Sequence, residues 1–204
     1  MSDGFGIPQI MIYLSKMGLK IAHVNQEQEI IELAFHGDHG QWRMIVGIQQ
    51  SGEVRKLMLI APHIGTVTTR KRLECLEALM AVNYRIAMGK FGLDLDDGEV
   101  RLEEVIPLAN NDLTFEQFQL AFGAIIQTAS MYHSLLPRII YGDLSVQDAL
   151  QRCEQEFFQE KRQSEPASTT LIPQEVTGAI DELPELDVND VMAEVTRLFE
   201  ERKE

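Results

Sequence analysis

Positive charge is what this chain has least of for its size. Its 18 lysines and arginines face 32 aspartates and glutamates, a formal net charge of −14. A surface that neutralises phosphates needs a surplus of Lys and Arg, so this balance excludes nucleic acid as a partner and disfavours an anionic membrane. Cysteine is scarce too. Cys75 and Cys153 are the only two, both in helix-like stretches, as is usual for buried thiols in a reducing compartment, whereas a disulfide-stapled secreted domain would use more. No window approaches the roughly 20 apolar residues a spanning helix needs. Met1-Ser2-Asp3-Gly4 lacks the basic start and apolar run of a secretory signal. Nor is there a Gly-x-Ser-x-Gly elbow, a phosphate-binding glycine loop or a dinucleotide fingerprint, so no enzyme and no cofactor are expected. These absences describe a soluble, cytoplasmic protein.

What is present is enough to fold. A hydrophobic fraction of 45% over 204 residues excludes wholesale disorder and supplies one ordinary core with a remainder. Ile10, Met11, Leu14 and Met17 give a short first helix that tolerates Pro8 in its opening turn and stops at Gly18. Alternation then takes over. Ile31, Leu33 and Phe35 point one way; Trp42, Met44, Val46 and Ile48 oppose Arg43, Ile45 and Gln49; Leu57, Leu59 and Ala61 follow. Turns at His36-Gly37-Asp38-His39-Gly40 and Ser51-Gly52 join these runs, so they read as an antiparallel meander.

From about Thr69 the period becomes helical. Leu73, Leu76, Met80, Asn83 and Ala87 recur three and four apart, which predicts that this face seeks the core and that Gly89 ends the helix. Phe91, Leu93 and Leu95 lead to a hairpin at Asp96-Asp97-Gly98, with Val100 and Leu102 returning. Thr114 and Gln117 form a capping box ahead of Phe115, Phe118, Phe122, Ile125, Ala129 and Tyr132, the cleanest apolar stripe in the chain. Pro137 falls beyond that helix, and Ser145 with Asp148 caps another that reaches about Arg162.

The expected fold class is α+β, an antiparallel sheet of about five strands with packed helices. Residues 1–162 form this domain, 163–184 a flexible linker rich in Pro, Ser and Thr, and 185–204 a tail. Residues 163–204 hold 11 acids and 3 bases. Within the tail, Val188, Val191, Met192, Val195, Leu198 and Phe199 fall on one helical stripe, and an isolated helix of that length is marginal in water. The stripe should therefore dock, on its own core or in a partner's groove.

The stretch Asn83-Tyr84-Arg85-Ile86-Ala87-Met88-Gly89-Lys90-Phe91-Gly92-Leu93-Asp94, with the hairpin and capped helix after it, resembles the YbjN family over about residues 5–140. The resemblance implies the fold of the class I type III secretion chaperones, a part in regulating sensory transduction, and protein binding, often as a dimer. It brings no catalytic residues.

Four groups of residues invite chemistry. His36 and His39 flank Asp38 in a turn and could ligate a metal with it, while His63 follows a strand, though Gly-Asp-His-Gly is also ordinary turn composition. Asp94, Asp96, Asp97, Glu99, Glu103 and Glu104 form the densest acidic cluster, but their spacing is not that of a calcium loop and suits a solvated hairpin tip. Cys75 lies near Arg70, Lys71 and Arg72, which would activate a thiol, yet its place beside an apolar stripe suits burial. The stripe from Phe115 to Tyr132 is core, or core with a dimer seam. Two functions follow. The first is a non-enzymatic protein-binding regulator or chaperone-like adaptor, using a sheet or helix surface or the tail stripe, with a protein partner and a homodimer as its contacts. The second is a ligand- or metal-sensing regulator with a small-molecule pocket under the sheet.

Overall fold

The computed structural model describes residues 4–37, 40–108 and 112–164. The tail stripe from Val188 to Phe199, and Asp38 and His39, lie outside them. A first helix, α1 (Ile7–Lys16), precedes four strands: β1 (His23–Asn25), β2 (Ile30–Gly37), β3 (Gly40–Ser51) and β4 (Val54–Thr66). A 3-10 turn leads into α2 (Arg72–Arg85), then the hairpin β5 (Lys90–Leu93) and β6 (Glu99–Pro107), and finally α3 (Phe115–Tyr132), α4 (Leu135–Ile140) and α5 (Val146–Ser164). The strands form one antiparallel sheet in the order β1-β2-β3-β4-β6-β5. This is the expected α+β class, with a sixth strand in β1, whose three residues are too few to show a period.

Alternation places the core. Ile31, Leu33, Phe35, Met44, Val46, Ile48, Leu57, Leu59, Ala61, Val100 and Leu102 are buried on one face of the sheet. Against them lie Phe118, Phe122, Ile125 and Ala129 of α3. The capping box starts this helix as expected: Gln117 N–H donates to Thr114 Oγ1 at 3.3 Å and Thr114 N–H to Gln117 Oε1 at 3.0 Å. Asp148 N–H likewise donates to Ser145 Oγ at 3.1 Å at the start of α5. Pro137 does lie beyond α3, inside the short α4.

The second helix corrects the sequence reading. Its buried residues are Cys75, Ala78, Leu79 and Val82, whereas Leu73, Leu76 and Met80, expected in the core, are exposed. The helix carries two apolar stripes on nearly opposite sides, so periodicity alone could not choose between them. Of the expected core face, Asn83 is buried in part and Ala87 lies past the helix. The helix also stops at Arg85, because Ile86 turns extended at ψ 139° before Gly89 reverses the chain at φ +78°.

Helices α3, α2 and α5 meet at Glu154, which accepts from the Tyr132 hydroxyl at 3.0 Å and pairs with Arg85. Burial, reinforced by the Glu154 carboxylate, pushes the Tyr132 phenol up to about 12. An unfolded tyrosine titrates near 10. Between these values the unfolded chain has released a proton that the folded chain still holds, so stability falls as pH rises from about 10 to 12. Tyr132→Phe removes this contribution. Melting temperatures followed across that range should decline less steeply in the variant than in the parent chain.

Candidate interaction surfaces

The outward stripe of α2 is the most exposed apolar feature among the described residues. Leu73 is 77% exposed, Met80 68% and Tyr84 92%, with Leu76 completing the row. They fall three and four residues apart on the side of the helix turned from Cys75 and Val82. Glu77 flanks the row on one side. A contiguous apolar face of this kind marks a contact surface more often than a scattered exposed residue does.

Beside this stripe runs β5, one of the two edge strands of the sheet. Its free edge would offer unpaired backbone groups to another strand. Asn83 prevents this at Phe91: its Nδ2 donates to the Phe91 carbonyl at 3.0 Å, and its Oδ1 accepts the Phe91 N–H at 2.7 Å. The amide thus stands in for a neighbouring strand at that residue. Asn83 reads in sequence as a core position, but it is an edge cap.

The second surface is the sheet face turned from the helices. The register aligns Ile30, Gly47, Met58 and Val105 in one row, and Glu32, Ile45, Ile60, Glu103 and Lys90 in the next. Ile30, Ile45, Met58 and Ile60 are partly exposed and lie outside the core cluster, and Val105 is exposed. A Cβ on Gly47 would lie 2.9 Å from Ile30 Cγ2, so the missing side chain lets Ile30 lie across the strand and join the rows. Arg43, Lys56, Lys90 and Arg101 surround this patch. Arg43 lies 3.9 Å from Glu32 and Arg101 3.0 Å from Glu103.

The groups singled out for chemistry are dispersed. Asp94 Oδ1 accepts from Asp96 N–H at 2.9 Å and Asp97 Oδ1 from Glu99 N–H at 2.8 Å, which is turn construction. Glu99 Oε1 accepts the His63 N–H at 3.0 Å and lies 3.3 Å from His63 Nδ1, at a bulge where His63 takes φ +52°. Glu104 accepts the Gly89 N–H. Among the described residues no three His, Cys, Asp or Glu side chains converge as a metal site. The side chain of His36, with Asp38 and His39, lies outside those residues. Cys75 is buried, and burial pushes its thiol up, away from an activated nucleophile. A shallow concavity lined by Gln151, Glu154, Gln155, Phe158 and Gln159 lies along α5, away from the place under the sheet where a pocket was expected. No described helix is long and apolar enough to cross a membrane.

The stripe from Phe118 to Tyr132 is buried within the chain, so α3 leaves little to offer a second copy. The surfaces missed in the sequence are the outer stripe of α2 and the rows of the open sheet face. The signal for the first was there, as two apolar stripes in one helix.

The family model YbjN, described as "Putative bacterial sensory transduction regulator", matches residues 9–136. Among solved structures, "YbjN, a putative transcription regulator from E. coli" is similar at 14% identity and a TM-score of 0.43, covering 64% of this chain and 92% of that one. A chain of "the ExsC-ExsE Complex" is similar at 20% identity and a TM-score of 0.42, covering 61% of this chain and 88% of that one. No curated protein matches the sequence.

Proposed function

We propose that this chain, which belongs to the YbjN family, is a non-enzymatic regulator that works by binding protein, a cytoplasmic chaperone-like adaptor whose contact surface is the outer stripe of α2. The family description supports a regulatory role. The observation that carries the binding role is the exposure of Leu73, Met80 and Tyr84 on one helix face. A second copy of the chain suits that face well, because an apolar stripe with little charge is compatible with its own image across a two-fold axis. The organisation proposed with it is a core domain through α5, a linker to 184 and a tail helix over 185–204.

Replacing Leu73 and Met80 together by glutamate tests the reading. Both side chains already face solvent, so the unfolding free energy should change by no more than about 0.5 kcal/mol per site. Association should be lost. Sedimentation velocity at tens of micromolar is expected to show a dimer for the parent chain and a monomer for the variant. A parent chain that is monomeric there, and that retains no protein partner at micromolar concentration, overturns the proposal.

A further inference from the structure

We infer that the open face of the sheet is covered by the chain's own C-terminal segment, residues 185–204, which lies as a strap over Ile30, Ile45, Met58, Ile60 and Val105. The inference is independent of the α2 surface and stands on three observations. The first is apolar match. The rows Ile30–Met58–Val105 and Ile45–Ile60 run across four neighbouring strands in register and lie outside the core cluster. The segment presents Val188, Val191, Met192, Val195, Leu198 and Phe199 at helical spacing. Such a helix is marginal alone and is stabilised by laying that stripe on an apolar surface.

The second observation is charge. In a chain of net charge −14, the open face gathers Arg43, Lys56, Lys90 and Arg101 against Glu32, Glu103 and, at the end of β6, Glu99. On a helical wheel of the segment, Asp187 and Glu194 border one side of the apolar stripe, Glu201 and Asp190 lie farther round on the same side, and Arg202 falls within the stripe near its C-terminal end. Acids beside apolar residues thus meet bases beside apolar residues. The outer stripe of α2 has Glu77 at its margin, and Glu74 one turn nearer the helix start is already paired with Lys71 at 3.7 Å.

The third observation is reach. The described chain ends at Ser164 in α5, and residues 165–184 precede the segment. A flexible stretch of that length has an r.m.s. span of about 25 Å. The sheet and the helix layer behind it are each about 10 Å thick, so the segment can pass round an edge and return over the open face.

Native methionines read the result without truncating the chain. Met58 lies on the open face and Met80 on α2, so peroxide footprinting of the full-length protein compares the two surfaces directly. Leu198→Ser combined with Phe199→Ser should raise the oxidation rate of Met58 several-fold and leave Met80 unchanged. Protection of Met58 in the parent chain should persist on dilution to nanomolar concentration. As a second measurement, Ile60→Cys paired with Val195→Cys should form an intrachain disulfide under mild oxidation, with Cys75 and Cys153 left in place because both are buried. Met80→Cys with Val195→Cys should not. An unchanged Met58 rate, a disulfide to α2 in place of the sheet, or protection and cross-links that vanish on dilution would each overturn the inference. The last of these would assign the cover to a second copy.

Discussion

Phe122→Ala is expected to lower the unfolding free energy by about 3–5 kcal/mol, the usual cost of deleting a fully buried aromatic ring and leaving a cavity. Phe122 is fully buried at the centre of α3. Its ring stacks on Phe118 at 5.6 Å between centroids and tilts against Phe35 at 6.5 Å. Phe118 in turn meets Tyr13 of α1 at 5.6 Å, and Phe35 stacks on Trp42 at 4.4 Å. The aromatic chain thus passes from the first helix through α3 to β2 and β3, and Phe122 is its middle link. Folded domains have about 5–15 kcal/mol in all, so one such loss takes most of a modest reserve. Urea unfolding followed by Trp42 fluorescence should show a lower midpoint with an unchanged slope, because the surface exposed on unfolding is nearly the same. A loss below about 1.5 kcal/mol would mean that the surrounding rings close over the cavity.

The packing behind this prediction is largely legible in the sequence. The period-two runs of β2, β3 and β4 have one reading, since every second residue is large and apolar. The stripe in α3 and the Thr114–Gln117 box are similarly local signals. Legibility failed where the decision depends on what lies across space. Helix α2 has apolar residues on both sides, and only the positions of β5, α4 and α5 decide that Cys75, Ala78, Leu79 and Val82 go inward while Leu73, Leu76 and Met80 stay out. Asn83 is the sharper case. Its spacing assigns it to a core stripe, yet its amide pairs with both backbone groups of Phe91, a contact that exists only once β5 has folded back along the helix. The ring of bases on the open sheet face is equally invisible in one dimension. Arg43, Lys56, Lys90 and Arg101 are scattered over four strands and come to ring one patch only through the register.

The second large effect is expected at the hairpin. Gly98 takes φ +80°, a region costly for residues with a side chain, and a Cβ there would lie 2.4 Å from the Val67 carbonyl oxygen. That oxygen cannot move aside, because the Val67 N–H donates to the Gly98 carbonyl at 2.8 Å and the two backbones are held together. Gly98→Ala should therefore cost about 2–4 kcal/mol, the left-handed backbone and the steric clash adding. Gly52 isolates the first contribution. It has φ +62° but nothing within 4 Å of a Cβ, so Gly52→Ala should cost about 1 kcal/mol. Equal losses for the two variants would show that close approach at Val67 is unimportant. If the losses differ as expected, the contact matters beyond stability. Val67 immediately precedes the turn that launches α2, so the glycine that closes the β5–β6 hairpin also sets where α2 begins. Gly98→Ala should accordingly weaken the association proposed for the outer stripe of α2 even where the domain still folds, although Gly98 is not part of that stripe.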